Sequence, residues 1–258
     1  MPQDPALLKF GSPVEKGTPL PRPSCRECAE GHISFDSPVE SENGSSVNAR
    51  SFWAWEPEWI RGAFTSTGTC QNTDCGLKVA VSGTYEVDAA RLVIDEEDPG
   101  PPYSTYYTFL SFSPPLQLMR LPESTPEQVK DGVDRAATVL FADPGLAATA
   151  LRLVVEQFLT ADGIPDKRAQ GGFISADERI KTWKGAAPSR DRVANLLLAV
   201  KWIGNAGTHS LATLSVDEVL AGAEFLSEAF HALFEGPSID ARAQAINQAK
   251  GPVRHTVP

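Results

Sequence analysis

Two closely spaced pairs of cysteines, far apart along the chain, constrain its fold more than any other feature. Cys25 and Cys28 form a C-x-x-C motif, and Cys70 and Cys75 form a C-x-x-x-x-C motif. Each spacing lets one tight turn present two thiolates to one edge of a tetrahedron, the arrangement that Zn²⁺ prefers. Four thiolates complete a closed site, so the sequence predicts a structural zinc ion with no open position for catalysis. Two alternatives stay open: His32 as a substitute ligand, or four independent buried cysteines.

Length and composition are typical of a globular protein. The 258 residues are 41% hydrophobic and 22% charged, which suits one sizeable core with a smaller appended module. No apolar run approaches the roughly 20 residues that span a bilayer, and the first residues lack the basic-then-apolar order of a signal peptide. We therefore expect a cytoplasmic protein with no membrane partner. Thiols stay reduced in the cytoplasm, which favours metal binding over disulfides.

The charge balance argues against a protein that coats nucleic acid. Lys and Arg number 23 against 33 Asp and Glu, a formal net charge of −10, and such a field repels phosphate. The segment 167–201 is the exception, because eight basic residues there stand against three acidic ones. This basic stretch either attracts an anionic ligand or is a solvated, Arg-rich surface.

The pattern of the chain changes near residue 122. Before it, short β-type runs such as LKVAVSGTYEV and STYYTFLSF alternate with Pro, Gly and Ser, which predicts small sheets and loops. From 123 to 236 the pattern predicts four substantial helices and one short helix, and 237–258 is expected to be a frayed tail. The fold class is therefore α+β, with a zinc-ribbon-like β module over 1–122 followed by a helical bundle over 123–236.

Capping signals predict where the helices begin. The tetrapeptides TPEQ, SADE and SVDE predict capping boxes that start at Thr125, Ser175 and Ser215. The tripeptide DPG, which starts at Asp143, predicts the end of one helix and the start of the next. Ser189 is the expected N-cap of the apolar run that follows it.

Aromatic residues crowd the segment SFWAWEPEWIRGAF between the two cysteine pairs, with Trp53, Trp55, Trp59 and Phe64. Exposed aromatic rings could stack on the bases of a single-stranded nucleic acid. In a small module with little other apolar material, such residues more often supply the packing. We expect packing here, with base stacking as the alternative.

Polar residues interrupt two strongly apolar helical segments. Lys201, Asn205 and His209 stand four residues apart, so an unbroken helix would place a cation, an amide and an imidazole on one face. Arg152 and Glu156 are likewise one turn apart, and a charged pair among apolar residues needs a partner, either each other or the next helix. The alternative is structural: the glycines allow close helix packing, Asn205 is a cap and His209 is a satisfied core histidine.

The helical half resembles a bacterial family. The run FSPPLQLMRLPESTPEQVKDGVDRAATVLFADPGLAATALRLVVEQFL, followed by DERI and LLLAVKWIGNAGTH, is similar to DUF4145, a domain of unknown function. Members of that family commonly carry a two-pair cysteine ribbon ahead of the helices, and the resemblance covers roughly 25–234. The family is grouped with the HEPN superfamily, whose helical domains often dimerise and, in active members, cleave RNA with an Arg and a His. The resemblance thus implies a HEPN-like bundle and a homodimer.

The same resemblance implies a candidate site for metal-independent RNA cleavage. Active HEPN nucleases tend to hold an arginine where this chain has Gly204, and Lys201 is the nearest basic substitute. A lysine cannot make the bidentate phosphate contact of an arginine. His209 would supply the base, and Lys201 or Arg152 would supply the cation. Asn205 and Glu156 complete the candidate endoribonuclease site.

Two function classes follow from the sequence. The first is a zinc-binding protein that binds or cleaves RNA, with a partner protein from a phage-defence or toxin–antitoxin operon. The second is a non-catalytic dimerisation or adaptor module with a structural zinc. The acidic balance and the missing arginine favour the second, whereas the basic stretch and His209 favour the first. Taken together, these features slightly favour a role linked to nucleic acid, and they do not decide whether the protein has catalytic activity.

Overall fold

The structure is a computed structural model that describes residues 4–28, 30–90, 102–209 and 214–235, together with 244, 247 and 248. The predicted α+β class is confirmed, because an antiparallel sheet forms the first half of the chain and helices form the second. The tail predicted over 237–258 lies outside the described residues, except for three single helical positions.

Six strands form one antiparallel sheet in the order β1-β6-β5-β4-β2, and β3 also pairs with β4. The strands are β1 (Val14–Glu15), β2 (Ile33–Phe35), β3 (Val39–Glu42), β4 (Arg61–Cys70), β5 (Lys78–Ala89) and β6 (Tyr103–Ser113). Buried and exposed residues alternate along β4 and β5, because only one face of the sheet meets the core. The three long strands, of 10, 12 and 11 residues, correct the expectation of small sheets. Their buried face includes Gly and Ser, which hides the strand length in the sequence.

The aromatic segment between the cysteine pairs divides between core and surface. Phe64 is 1% exposed and packs edge-on against Tyr107, as the packing prediction requires. Trp53 is 90% exposed, and the ring of Phe52 stacks on that of Trp59 at 5.8 Å. The prediction is therefore right for Phe64 and wrong for Trp53, which lies in the connection before β4, where no strand aims it at the core.

A charged cluster links three strands of the sheet. The Lys16 Nζ atom, just after β1, lies 2.8 Å from Glu40 Oε1 in β3, and the hydroxyl of Tyr107 in β6 donates to the same carboxylate. Burial raises the pKa of Glu40, but the hydrogen bonds from Lys16 and Tyr107 outweigh it and leave that pKa below its ordinary value. Burial and the neighbouring carboxylate raise the pKa of Tyr107.

The described helices include the four substantial helices and the short one predicted between 123 and 236. They are α1 (Pro5–Lys9), α2 (Gly44–Ala49), α3 (Glu127–Val139), α4 (Pro144–Ala161), α5 (Ala176–Gly185), α6 (Asp191–His209) and α7 (Val216–Phe234). Asp143, Ser175 and Ser215 cap α4, α5 and α7, since each side-chain oxygen accepts a backbone N–H of the first turn. The reciprocal bond of a capping box is present at Ser215, whereas Ser175 shows only the serine half of the predicted box. Among the described helices, none has both the length and the apolar character needed to cross a membrane.

Two of the predicted caps are wrong. Thr125 does not cap α3, which begins after Pro126 without any side-chain cap. Thr125 is only 3% exposed, so its side chain is buried and is not used at the helix end. Ser189 lies inside a 3-10 turn (Pro188–Arg190) that runs directly into α6, so it has no helix end to cap.

One hydrophobic core joins the sheet to the helices. The ring of Phe10, just after α1, lies 5.2 Å from Phe112 of β6 and 6.0 Å from Phe141, which follows α3. Arg26 adds a polar link, because its guanidinium lies 2.8 Å from the Asp134 carboxylate of α3. Since Arg26 stands between the first two cysteines, this ion pair ties their turn to the helical half. The boundary at residue 122 stays a prediction.

Candidate metal centre

The fold brings the four cysteines together at one end of the sheet. Cys25 and Cys28 precede β2, Cys70 is the last residue of β4, and Cys75 lies in the turn that leads into β5. Strand β2 pairs with β4 so that Ile33 is opposite Cys70. This register carries the first cysteine turn to the second, a juxtaposition that the spacing implied but could not specify.

The four sulfur atoms have the separations of a tetrahedral thiolate site. The Sγ atoms of Cys25 and Cys75 lie 3.7 Å apart, as do those of Cys28 and Cys70, and all four lie within 4.8 Å of one another. A Zn–S bond of about 2.3 Å gives an S···S edge of about 3.8 Å in a regular tetrahedron. A disulfide requires about 2.05 Å, so the four cysteines are free thiols. Among the described residues, His32 is not part of this cluster.

Gly31 closes the first turn around the sulfur cluster. Its backbone N–H donates to Cys28 Sγ at 3.3 Å, and its carbonyl oxygen accepts the N–H of Cys25 at 2.8 Å. A Cβ atom at Gly31 would lie 2.5 Å from Cys70 Sγ, which is too close for any side chain. The absence of a side chain therefore lets the backbone approach the cluster, a role for Gly31 that the cysteine spacing did not predict.

The thiols have contrasting electrostatic surroundings. The N–H of Gly31 that points at the sulfur lowers the pKa of Cys28 to about 6. Burial raises the pKa of the Cys70 thiol to about 12. Since metals bind thiolates, an incoming cation would find Cys28 largely ionised at neutral pH and would displace a proton from Cys70.

The polar residues predicted on the helices meet where α4 packs against α6. The Arg152 Nε atom donates to Glu156 Oε1 at 3.1 Å, and Arg152 Nη1 donates to Asn205 Oδ1 at 2.9 Å. Arg152 is thus paired both with Glu156 on its own helix and with Asn205 on another helix, the two alternatives that the sequence left open. The side chains of Arg152 and Glu156 are 33% and 30% exposed, so this network lies at the rim of the helix contact.

Two glycines of α6 permit the close contact with α4. A Cβ atom at Gly204 would lie 2.4 Å from Arg152 Cβ, and one at Gly207 would lie 2.4 Å from the carbonyl oxygen of Gly145. Helix α6 runs unbroken through both glycines to His209. Gly204 and Gly207 therefore allow the close packing that one interpretation expected, whereas Asn205 lies within α6 and is not a cap.

Lys201 has partners within the fold, and the structure does not describe the side chain of His209. Lys201 is 8% exposed; its Nζ lies 3.8 Å from Asp177 Oδ1 of α5 and 3.3 Å from the ring centroid of Trp202. The side chain of His209 lies outside the described part of the chain, so its role stays a prediction. Asp177 had no signal in the sequence as a partner of Lys201, because only the packing of α5 on α6 brings them together.

The basic stretch 167–201 is largely neutralised within the fold. Six of its eight cations lie 2.6 to 3.8 Å from a carboxylate. These pairs are Arg168–Glu178, Lys181–Asp177, Lys184–Asp191, Arg190–Asp162, Arg192–Glu228 and Lys201–Asp177. Arg179 is 2% exposed and donates to Thr160 and to the carbonyl of Ile164. The stretch therefore offers an anionic ligand far fewer unpaired cations than its composition indicates.

Two family models match separate parts of the chain. Residues 16–112 match DUF8608 and residues 134–249 match DUF4145, and both are described as domains of unknown function. The second match confirms the resemblance to DUF4145 over the helical half. No curated protein and no solved structure matches the chain. The zinc-ribbon and HEPN resemblances stay predictions.

Proposed function

We propose that this chain is a non-catalytic dimerisation module, in which a structural zinc ion stabilises the sheet half and the exposed face of α4 and α6 pairs with a second copy. The observation that carries this proposal is the use of the polar residues. Arg152 is held by the Glu156 carboxylate and the Asn205 amide. Metal-independent RNA cleavage requires a cation aimed at a phosphate, and this guanidinium already has two partners.

Large apolar side chains are exposed on the same two helices as this polar network. Leu146 and Leu153 stand two turns apart on α4 and are 52% and 47% exposed, and Trp202 of α6 is 60% exposed one turn before Asn205. Exposed leucine and tryptophan around an arginine are typical of a protein interface. A second copy is the proposed occupant, because this face offers both a partly exposed cation and a partly exposed carboxylate, so that its charges can complement those of an identical face across a two-fold axis.

Analytical ultracentrifugation of three variants tests the dimer. The parent is expected to sediment as a dimer, and Trp202→Ser and Leu153→Ser are expected to shift it toward monomer while circular dichroism shows an unchanged helix content. Trp53→Ser is the matched control, because Trp53 is the more exposed tryptophan but lies in the sheet half. A parent that is monomeric at high concentration would contradict the proposal.

Zinc is the metal that we propose for the cysteine cluster. Four thiolates whose sulfur atoms are spaced for a tetrahedron suit Zn²⁺. With four protein ligands the coordination sphere is full, so no position is left for a reacting water. Elemental analysis of the purified chain should give one zinc per chain. Cys25→Ser and Cys70→Ser should lose it and unfold the sheet half, since zinc binding contributes folding free energy. A parent without bound metal would rule out this role.

A second candidate function, RNA binding or cleavage in a phage-defence or toxin–antitoxin system, is favoured by one observation. Asn205, which accepts a hydrogen bond from the partly exposed Arg152 of α4, lies one turn of α6 before His209. A gel assay on total RNA with the parent, His209→Ala and Arg152→Ala separates the two functions. Cleavage by the parent that His209→Ala abolishes would replace the non-catalytic proposal.

A further inference from the structure

A cleft lies where the first residues of the chain, the segment between the two family matches and α7 meet. Its volume is about 570 Å³, within the range of about 300 to 1,000 Å³ that is typical of small-molecule sites. The lining residues come from 4–32, 117–120 and 224–227. Neither family match contains all three segments, so the cleft depends on both halves of the chain.

Basic side chains line this cleft. Lys9, Arg22 and Arg120 contribute to its walls together with His32. In the described part of the chain, neither Lys9 nor Arg22 has a carboxylate within ion-pairing distance, whereas most cations of the basic stretch do. Lys9 and Arg22 are both exposed, so an anion that enters the cleft can pair with them without displacing a carboxylate.

The acidic residues of the cleft do not cancel this charge. Asp4 accepts the backbone N–H groups of Ala6 at 2.9 Å and Ser24 at 2.6 Å, so its carboxylate is used to build the wall. Glu224 of α7 is exposed and is the other carboxylate of the lining. With Asp4 so engaged, Lys9 and Arg22 face one further carboxylate of the lining, Glu224, in a protein whose net charge is −10.

Much of the remaining lining is apolar, although Ser24, Gln117 and Ser227 also contribute to it. Leu118 is 5% exposed and lies beside Met119 in the segment between the halves. We propose that this cleft binds a nucleoside phosphate. The phosphate would be held by Arg22 and Lys9, since guanidinium and ammonium groups are the usual phosphate donors. The base would cover the apolar residues, and Glu224 would accept hydrogen bonds from ribose hydroxyls.

Isothermal titration calorimetry on the full, metal-loaded chain tests this with AMP, adenosine and inorganic phosphate. AMP should bind with an affinity that falls as salt rises. Adenosine and inorganic phosphate should each bind about tenfold more weakly or worse, which corresponds to about 1.4 kcal/mol. Arg22→Gln and Lys9→Gln should each lower the affinity for AMP by about tenfold. Lys78→Gln is the matched control, because this exposed lysine of β5 is bonded to Thr69 away from the cleft and should leave AMP binding unchanged.

Three results would overturn the proposal. The first is no binding of any of the three probes. The second is inorganic phosphate that binds as tightly as AMP, since the apolar lining would then contribute nothing. The third is an unchanged AMP affinity in Arg22→Gln, which would locate the nucleotide elsewhere. Metal content and circular dichroism of each variant distinguish lost binding from lost structure, and a monomeric parent would leave this test intact.

Discussion

One methyl group added at the contact between α4 and α6 tests whether the glycines of α6 serve packing. In Gly204→Ala the new Cβ would lie 2.4 Å from Arg152 Cβ and 2.8 Å from the carbonyl oxygen of Ala148. Carbon atoms pack at about 3.5 to 4.0 Å, so α6 would have to move away from α4 by about 1 Å. Overpacking costs about 1 to 3 kcal/mol, and the better helix propensity of alanine offsets about 1 kcal/mol. Because a backbone carbonyl cannot rotate away, we expect the overpacking cost to lie at the upper end of this range, about 3 kcal/mol, and the net loss to be about 2 kcal/mol.

Urea unfolding followed by circular dichroism measures this loss. Gly185→Ala is the matched control, because Gly185 ends α5 and a Cβ there meets nothing within 4 Å. The two variants make the same chemical change and differ in their surroundings. Gly204→Ala should unfold at a lower urea concentration than the parent, and Gly185→Ala at the same or a slightly higher one. If Gly204→Ala unfolded at or above the midpoint of the parent, the close packing of α4 and α6 would be refuted.

Three further changes have defined outcomes. Arg152→Ala should lower the free energy of unfolding by about 1 kcal/mol, since it removes two partly exposed hydrogen bonds; an unchanged urea midpoint would show that the network adds no stability. The pKa of Glu40 lies below its ordinary value of 4.5 in the folded state, so its stabilisation is present above that pH and is lost as the pH falls further. Glu40→Gln should therefore lose less stability than the parent on acidification below pH 4.5 in urea titrations, and equal losses would contradict the pairing. Gly31→Ala should weaken zinc binding in a chelator competition, because its Cβ would lie 2.5 Å from Cys70 Sγ. Gly44→Ala is the control, since a Cβ there meets nothing within 4 Å and zinc binding should be unchanged. Equal zinc affinities in the two variants would show that the cysteine turn can adjust.

Local chemistry could be predicted from the sequence wherever the interacting atoms are close along the chain. The caps at Asp143, Ser175 and Ser215 depend on residues within one turn of the helix start. The ion pair of Arg152 with Glu156 depends on a spacing of four residues. The cap expected at Thr125 was wrong for the opposite reason, because tertiary packing buries its side chain.

The sequence by itself determined that two cysteine pairs can form one tetrahedral cluster, that sheet precedes helices, and where several helices begin. The tertiary structure alone decided which distant groups meet. The register of β2 on β4 joined the cysteine turns, and the packing of α5 on α6 set Asp177 beside Lys201. It also paired most of the basic stretch with carboxylates and assembled the cleft around Arg22 from three segments. The physical reason is that periodicity and spacing report on one element at a time, whereas charge compensation and cavities depend on how elements approach each other.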